Sequence, residues 1–66
     1  MTLYELVANY INSGTEIVVQ DYITNTYFFE GKAKELQDGD YILDYEVAEI
    51  APDPNYSDIL NILIKE

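Results

Sequence analysis

The chain has 66 residues, with 13 carboxylate side chains against three lysines and no arginine, histidine or cysteine, giving a net charge of −10. These numbers exclude disulfide staples, thiol and imidazole chemistry, and any zinc site built on histidine or cysteine. They also set the whole molecule's field against direct binding to nucleic acid or to an anionic membrane.

A chain of this length forms one domain, spanning residues 1–66. It buries roughly 60% of its unfolded surface, so its single core must suffice or a partner must add to it. The absence of cysteine fits a reducing compartment. Met1-Thr2-Leu3-Tyr4-Glu5 has neither the basic region nor the apolar stretch of a signal peptide, and no segment approaches the ~20 apolar residues of a membrane span. A cytoplasmic location is expected, and the Asn55-Tyr56-Ser57 sequon is then a chance match.

Thr2 and Glu5 form a capping box, in which each side chain satisfies a backbone N–H at a helix start. Leu3, Leu6, Val7, Tyr10 and Ile11 follow at helical spacing, predicting about three turns that end at Ser13-Gly14, with Gly14 in a left-handed cap. Residues 15–20 read as a strand with Ile17 and Val19 on one face and Glu16, Val18 and Gln20 on the other. Asp21–Asn25 reads as a turn. Residues 26–30 then return antiparallel, with Tyr27 and Phe29 on one face and Phe28 on the other, until Gly31 breaks the strand.

Lys32–Gln37 reads as a single helical turn with Leu36 inward, and Asp38-Gly39-Asp40 as a turn. Tyr41–Leu43 has no clear period. Asp44–Ala51 reads as a third strand; Val47 and Ile50 fall on opposite faces of a regular strand, which leaves room for a bulge. After the Pro52-Asp53-Pro54-Asn55 loop, residues 58–65 read as a last strand. It places Leu60, Ile62 and Ile64 on one face and Ile59, Asn61 and Leu63 on the other. The expected fold is α+β: an N-terminal helix packed on a four-stranded, mostly antiparallel sheet, in the order α-β-β-(short helix)-β-β.

One helix covers one face of such a sheet, and the other face is expected to be polar. Instead Val18, Phe28, Ile59 and Leu63 fall on it. Either the middle segment folds over them, or a second copy packs there, or a target protein covers them. The homodimer face in the second case is Val18, Phe28, Ile59 and Leu63.

No enzyme is expected. Ser13 and Ser57 have no histidine base, the three glycines are isolated, and so small a chain cannot enclose a substrate cleft around paired carboxylates. Asp38-Gly39-Asp40 with Asp44 and Glu46 fails the calcium-loop register, because glycine falls between the first two acids. The segment reads as a solvated turn. No metal and no cofactor are expected.

The latter half is the informative part. Glu35, Asp38, Asp40, Asp44, Glu46, Glu49, Asp53 and Asp58 follow one another without an intervening basic residue, with Tyr41, Tyr45 and Tyr56 interleaved. On a strand, Asp44 and Glu46 would stand side by side about 6.7 Å apart, a spacing close to that of successive backbone phosphates. Tyrosine adds flat area with a polar tip, as at protein interfaces. The pattern points to an acidic face made of Glu35, Asp38, Asp40, Tyr41, Asp44, Tyr45, Glu46 and Glu49 that docks on a basic, nucleic-acid-binding protein surface as a DNA mimic. The alternative reading is a self-associating accessory module. A plain solvated face is the bland reading of the same charges.

The layout resembles small acidic proteins of phages and mobile elements of low-GC Gram-positive bacteria. The likeness rests on the capped helix, Glu16-Ile17-Val18-Val19-Gln20-Asp21, Tyr27-Phe28-Phe29-Glu30-Gly31-Lys32, Val47-Ala48-Glu49-Ile50 and the apolar last strand. Some such proteins inhibit host defence, anti-CRISPR proteins among them. The resemblance implies an inhibitor acting in the host cytoplasm and assigns no residue a role.

Overall fold

The computed structural model describes residues 1–36, 40–56 and 58–66. Helix α1 (Leu3–Asn9) starts at the expected capping box: the Glu5 N–H donates to the Thr2 hydroxyl, and the Thr2 N–H donates to the Glu5 carboxylate at 3.0 Å. The helix is shorter than its apolar spacing predicts. Tyr10 already serves as the C-cap, and Gly14 is not in the left-handed region. The polar Asn12-Ser13-Gly14 segment supplies nothing to bury, so Ile11 packs on the core from beyond the helix end.

The strands are β1 (Glu16–Asp21), β2 (Tyr27–Lys32), β3 (Glu46–Pro52) and β4 (Ile59–Lys65). They form one sheet in the order β2-β1-β4-β3. β1 pairs antiparallel with β2 and parallel with β4, and β3 pairs antiparallel with β4, so the sheet is mixed but mostly antiparallel. Two 3-10 turns, Ala33–Glu35 and Tyr41–Asp44, lie in the connection between β2 and β3. The α+β order expected from the sequence is the one observed.

The two most buried strands occupy the middle of the sheet. Ile17 and Val19 of β1 and Ile62 and Ile64 of β4 are fully buried. Leu3, Leu6, Ala33, Leu36, Ile42 and Leu43 close over them from α1 and the two 3-10 turns. Tyr41–Leu43 therefore resolves as a turn of 3-10 helix that points Ile42 and Leu43 into the core. Each such side chain contributes roughly 1.5–3 kcal/mol when fully buried.

Two bulges set which side chains share a face. One in β3 skips Ala48, so that Val47 pairs with Ile64 and Ile50 with Ile62; Val47 packs on the core, whereas Ile50 stays 43% exposed. The other shifts the β1–β2 register: Val19 pairs with Phe29 but Gln20 pairs with Tyr27, which leaves Phe28 extra. The Phe28 ring packs on the core and meets Tyr45 edge-on, with centroids 6.3 Å apart. Simple alternation thus misplaces two residues, since Tyr27 shares its face with Gln20 and Phe28 leaves that of Val18.

Gly31 does not break β2 but lies within it at φ 150, a conformation close to glycine-only. A Cβ there would sit 3.1 Å from Glu35 Oε1. The close approach lets the Glu35 carboxylate accept the Lys32 N–H at 2.8 Å. On the opposite edge, Met1–Leu3 runs along the start of β3, with Val47 N–H donating to Met1 and Leu3 N–H to Tyr45, and Pro52 at its far end has no N–H to offer. The β3 edge is thereby blunted against strand addition at both ends, while along β2 the Lys32 N–H is capped.

Candidate protein-interaction surface

With one face covered by α1 and the 3-10 turns, the other sheet face is open. Register fixes its composition, because cross-strand partners point the same way. One row runs Glu30, Val18, Asn61, Ala51, and the next runs Tyr27, Gln20, Leu63, Glu49. Lys32, Glu16 and Ile59 lie beyond the first row, and Lys65 with Glu46 beyond the second. The face is an apolar band (Val18, Ile59, Leu63, Ala51) with carboxylates at its margins and a lysine at each end.

The band is modest in area. Val18 is only 8% exposed although it stands outside the core cluster, while Ile59 and Leu63 are half-buried. Tyr27, by contrast, is 63% exposed. The Asn61 Oδ1 atom is buried and has no partner among the described residues. An unpaired buried acceptor costs about 1–3 kcal/mol.

The expected acidic face does not form as one surface. Asp44 ends the second 3-10 turn rather than lying on a strand, so it is not side by side with Glu46 at phosphate-like spacing. Glu35 is committed to the Lys32 N–H. Asp40, Tyr41 and Asp44 are exposed on the layer that covers the core, whereas Glu46 and Glu49 belong to the open face. Asp38 lies outside the described residues, as do Gln37, Gly39 and Ser57. Tyr45 is half-buried, stacked edge-on with Tyr41 at 5.8 Å, and donates its hydroxyl to Glu66 Oε1 at 3.1 Å. Burial and that carboxylate raise its pKa above the ordinary 10.0. It is a packing residue rather than a presented one.

Glu16 and Glu30 were missed in the acidic tract because they precede it in sequence. Their signal was parity with Val18, which places all three on one face. Of the dimer residues, Val18, Ile59 and Leu63 share the open face, and Phe28 does not, owing to the bulge.

Charge pairing is sparse. The single ion pair among the described residues joins the Met1 ammonium to Glu46 at 3.1 Å, and among those residues no lysine lies within ion-pair distance of a carboxylate. Nor do the described residues group three or more acidic side chains as a metal site would. No helix of the structure is long and apolar enough to cross a membrane. The chain matches no protein-family model, no curated protein and no solved structure.

Proposed function

We propose that this protein is a non-enzymatic acidic inhibitor or regulator of the phage type, which docks its open sheet face on a basic, nucleic-acid-binding protein. The observation that supports the reading is a sheet face on which the half-buried Ile59 and Leu63 flank the buried Val18, with exposed Glu16, Glu30 and Glu49 at its margins, on a molecule of net charge −10. Apolar centre and polar rim are the anatomy of a transient interface, and the exposed Tyr27 fits it. The negative field of the whole molecule speeds encounter with a cationic surface.

Self-association through the same face is less well supported. A second copy would bring carboxylate margins against one another, and the departure of Phe28 leaves little apolar area compared with obligate dimers.

The test is capture of basic host proteins by wild type and by two charge-reversed variants. Glu30→Lys with Glu49→Lys alters the open face; Asp40→Lys with Asp44→Lys alters the covering layer by the same charge. The expected result is loss of at least about tenfold in affinity for the first variant only, with the wild-type complex dissolved by salt and by competing double-stranded DNA. Equal loss from both variants would rule out a defined face. Indifference to DNA would remove the nucleic-acid-binding surface as the target.

A further inference from the structure

The outer edge of β2 carries a donor that the fold takes out of use. The Ala33 N–H donates to the Thr15 carbonyl across the β1–β2 ladder at 2.9 Å. Antiparallel alternation then turns the N–H and carbonyl groups of Glu30 and Lys32 away from β1, toward the outside of the sheet. There the Lys32 N–H donates to Glu35 Oε1 at 2.8 Å. Two features hold the carboxylate in that position. Ala33 and Leu36, on either side of it in the 3-10 turn and its cap, are buried in the core. Gly31 has no Cβ, and one built there would stand 3.1 Å from the same oxygen. Glu35 thus masks the edge rather than joining an acidic docking face.

We propose that this edge is a latent strand-addition site for a second copy of the chain, kept closed by Glu35. The site lies on the edge of the sheet rather than on its open face, so it is independent of the docking reading. Charge and register select the occupant. The bulge at Phe28 bends the first part of the edge and leaves Phe29–Lys32 as its regular stretch. Two copies joined antiparallel about Gly31 set Glu30 opposite Lys32 of the second copy, and Lys32 opposite its Glu30. Both facing pairs are then of opposite charge, the favourable arrangement across a ladder. Joining about Glu30 would set two carboxylates face to face, and joining about Phe29 would carry the bulge into the new ladder. In the Gly31 register each Glu30–Lys32 pair exchanges two backbone hydrogen bonds, one of them donated by the Lys32 N–H. That N–H is the group Glu35 covers. The aromatic run Tyr27-Phe28-Phe29 on the same strand is the kind of segment that an unguarded edge opens to association.

The test is sedimentation of the full chain over a concentration series. Wild type is compared with Glu35→Ala, which removes the acceptor, with Glu35→Gln, which keeps an acceptor oxygen, and with Glu35→Ala combined with Lys32→Pro. Lys32 stands at φ −78 and ψ 146, a backbone that proline adopts, and proline has no N–H to give a second copy. Glu35→Ala should dimerise at least about tenfold more tightly than wild type, with a dissociation constant on the order of 0.1 mM. Glu35→Gln and the double variant should sediment as wild type does. In the Glu35→Ala dimer the Glu30 and Lys32 amides should exchange at least about tenfold more slowly than in its monomer. A mere loss of fold in Glu35→Ala would also drive association of the double variant, so reversal by Lys32→Pro reports the edge itself. Glu35→Ala no more associated than wild type would overturn the proposal. So would equal association of Glu35→Gln, association that survives Lys32→Pro, or unchanged exchange at Glu30 and Lys32.

Discussion

The two faces of the sheet are built from the same strands yet differ in every physical respect. On the covered face, Ile17, Val19, Ile62 and Ile64 lie in register and are sealed from water by α1 and the 3-10 turns. On the open face, the intervening residues alternate apolar, amide and carboxylate groups, and an amide oxygen goes unpaired. Stability therefore resides on one side. A function carried by the other side is free to keep groups that stability alone would replace.

Neighbouring residues of β4 test this division most severely. Ile62→Ala creates a cavity in a fully enclosed site and should cost about 2–5 kcal/mol. A domain of this size has about 3–10 kcal/mol in all, so the variant is expected to be largely unfolded or close to it. Leu63→Ala, one residue along and half-buried on the other face, should cost no more than about 1 kcal/mol. Urea titration followed by circular dichroism separates the two. Comparable losses would mean that the open face is covered by something in solution, a second copy being the first candidate.

This division was readable in β4 because its period of two is unbroken, and Leu60, Ile62 and Ile64 fall together as their spacing says. The β3 bulge was also readable, since a regular strand would put Val47 and Ile50 on opposite faces, although only Val47 packs on the core. The β2 bulge was not: Tyr27-Phe28-Phe29 is apolar throughout, so no break in pattern marks the extra residue. Tyr41–Asp44 has strand-like composition, and only tertiary burial of Ile42 and Leu43 makes it a 3-10 turn. That single local difference moves Asp44 away from Glu46. The insertion of β4 between β1 and β3 depends on contacts far apart in sequence and leaves no local mark.

Asn61 sharpens the comparison from the open side. Asn61→Val removes the unpaired acceptor and places a β-branched residue on a central strand, so it should raise stability by about 1 kcal/mol. That gain corresponds to an increase of about 4–8 °C in the melting temperature. Sedimentation at low salt should report the same mass as wild type, because the marginal carboxylates are unchanged. A lower melting temperature would show that the amide is satisfied by water and belongs to the fold.

Salt should act on the two functions in opposite directions. At a net charge of −10 the folded chain repels itself, and screening relieves that repulsion. Raising sodium chloride from low to moderate concentration should increase the melting temperature by a few degrees, on the order of 1 kcal/mol or less. The same change should weaken capture of a basic partner. If both fell together, the loss of binding would be a loss of fold.

Acid produces the smallest and most local effect, and it isolates carboxylates that hold structure from those that only carry charge. Glu5 is held below its ordinary 4.5 chiefly by the Thr2 N–H, and Asp21 below its ordinary 3.8 chiefly by the Thr24 N–H. A folded-state pKa below the unfolded one contributes stability above the unfolded value, and that contribution disappears as the pH falls through the folded one. Both contributions are therefore intact at pH 5 and above and are lost below about pH 4. Protonation of the other carboxylates meanwhile lowers the net charge and works the other way, so the wild-type acid limb is the difference of two trends. Asp21→Asn keeps an acceptor oxygen for the turn but removes the titrating charge. Its melting temperature should fall less steeply than that of wild type between pH 5 and 3, with only a small loss at pH 7. An unchanged slope would show that the hairpin turn draws nothing from the charge of Asp21.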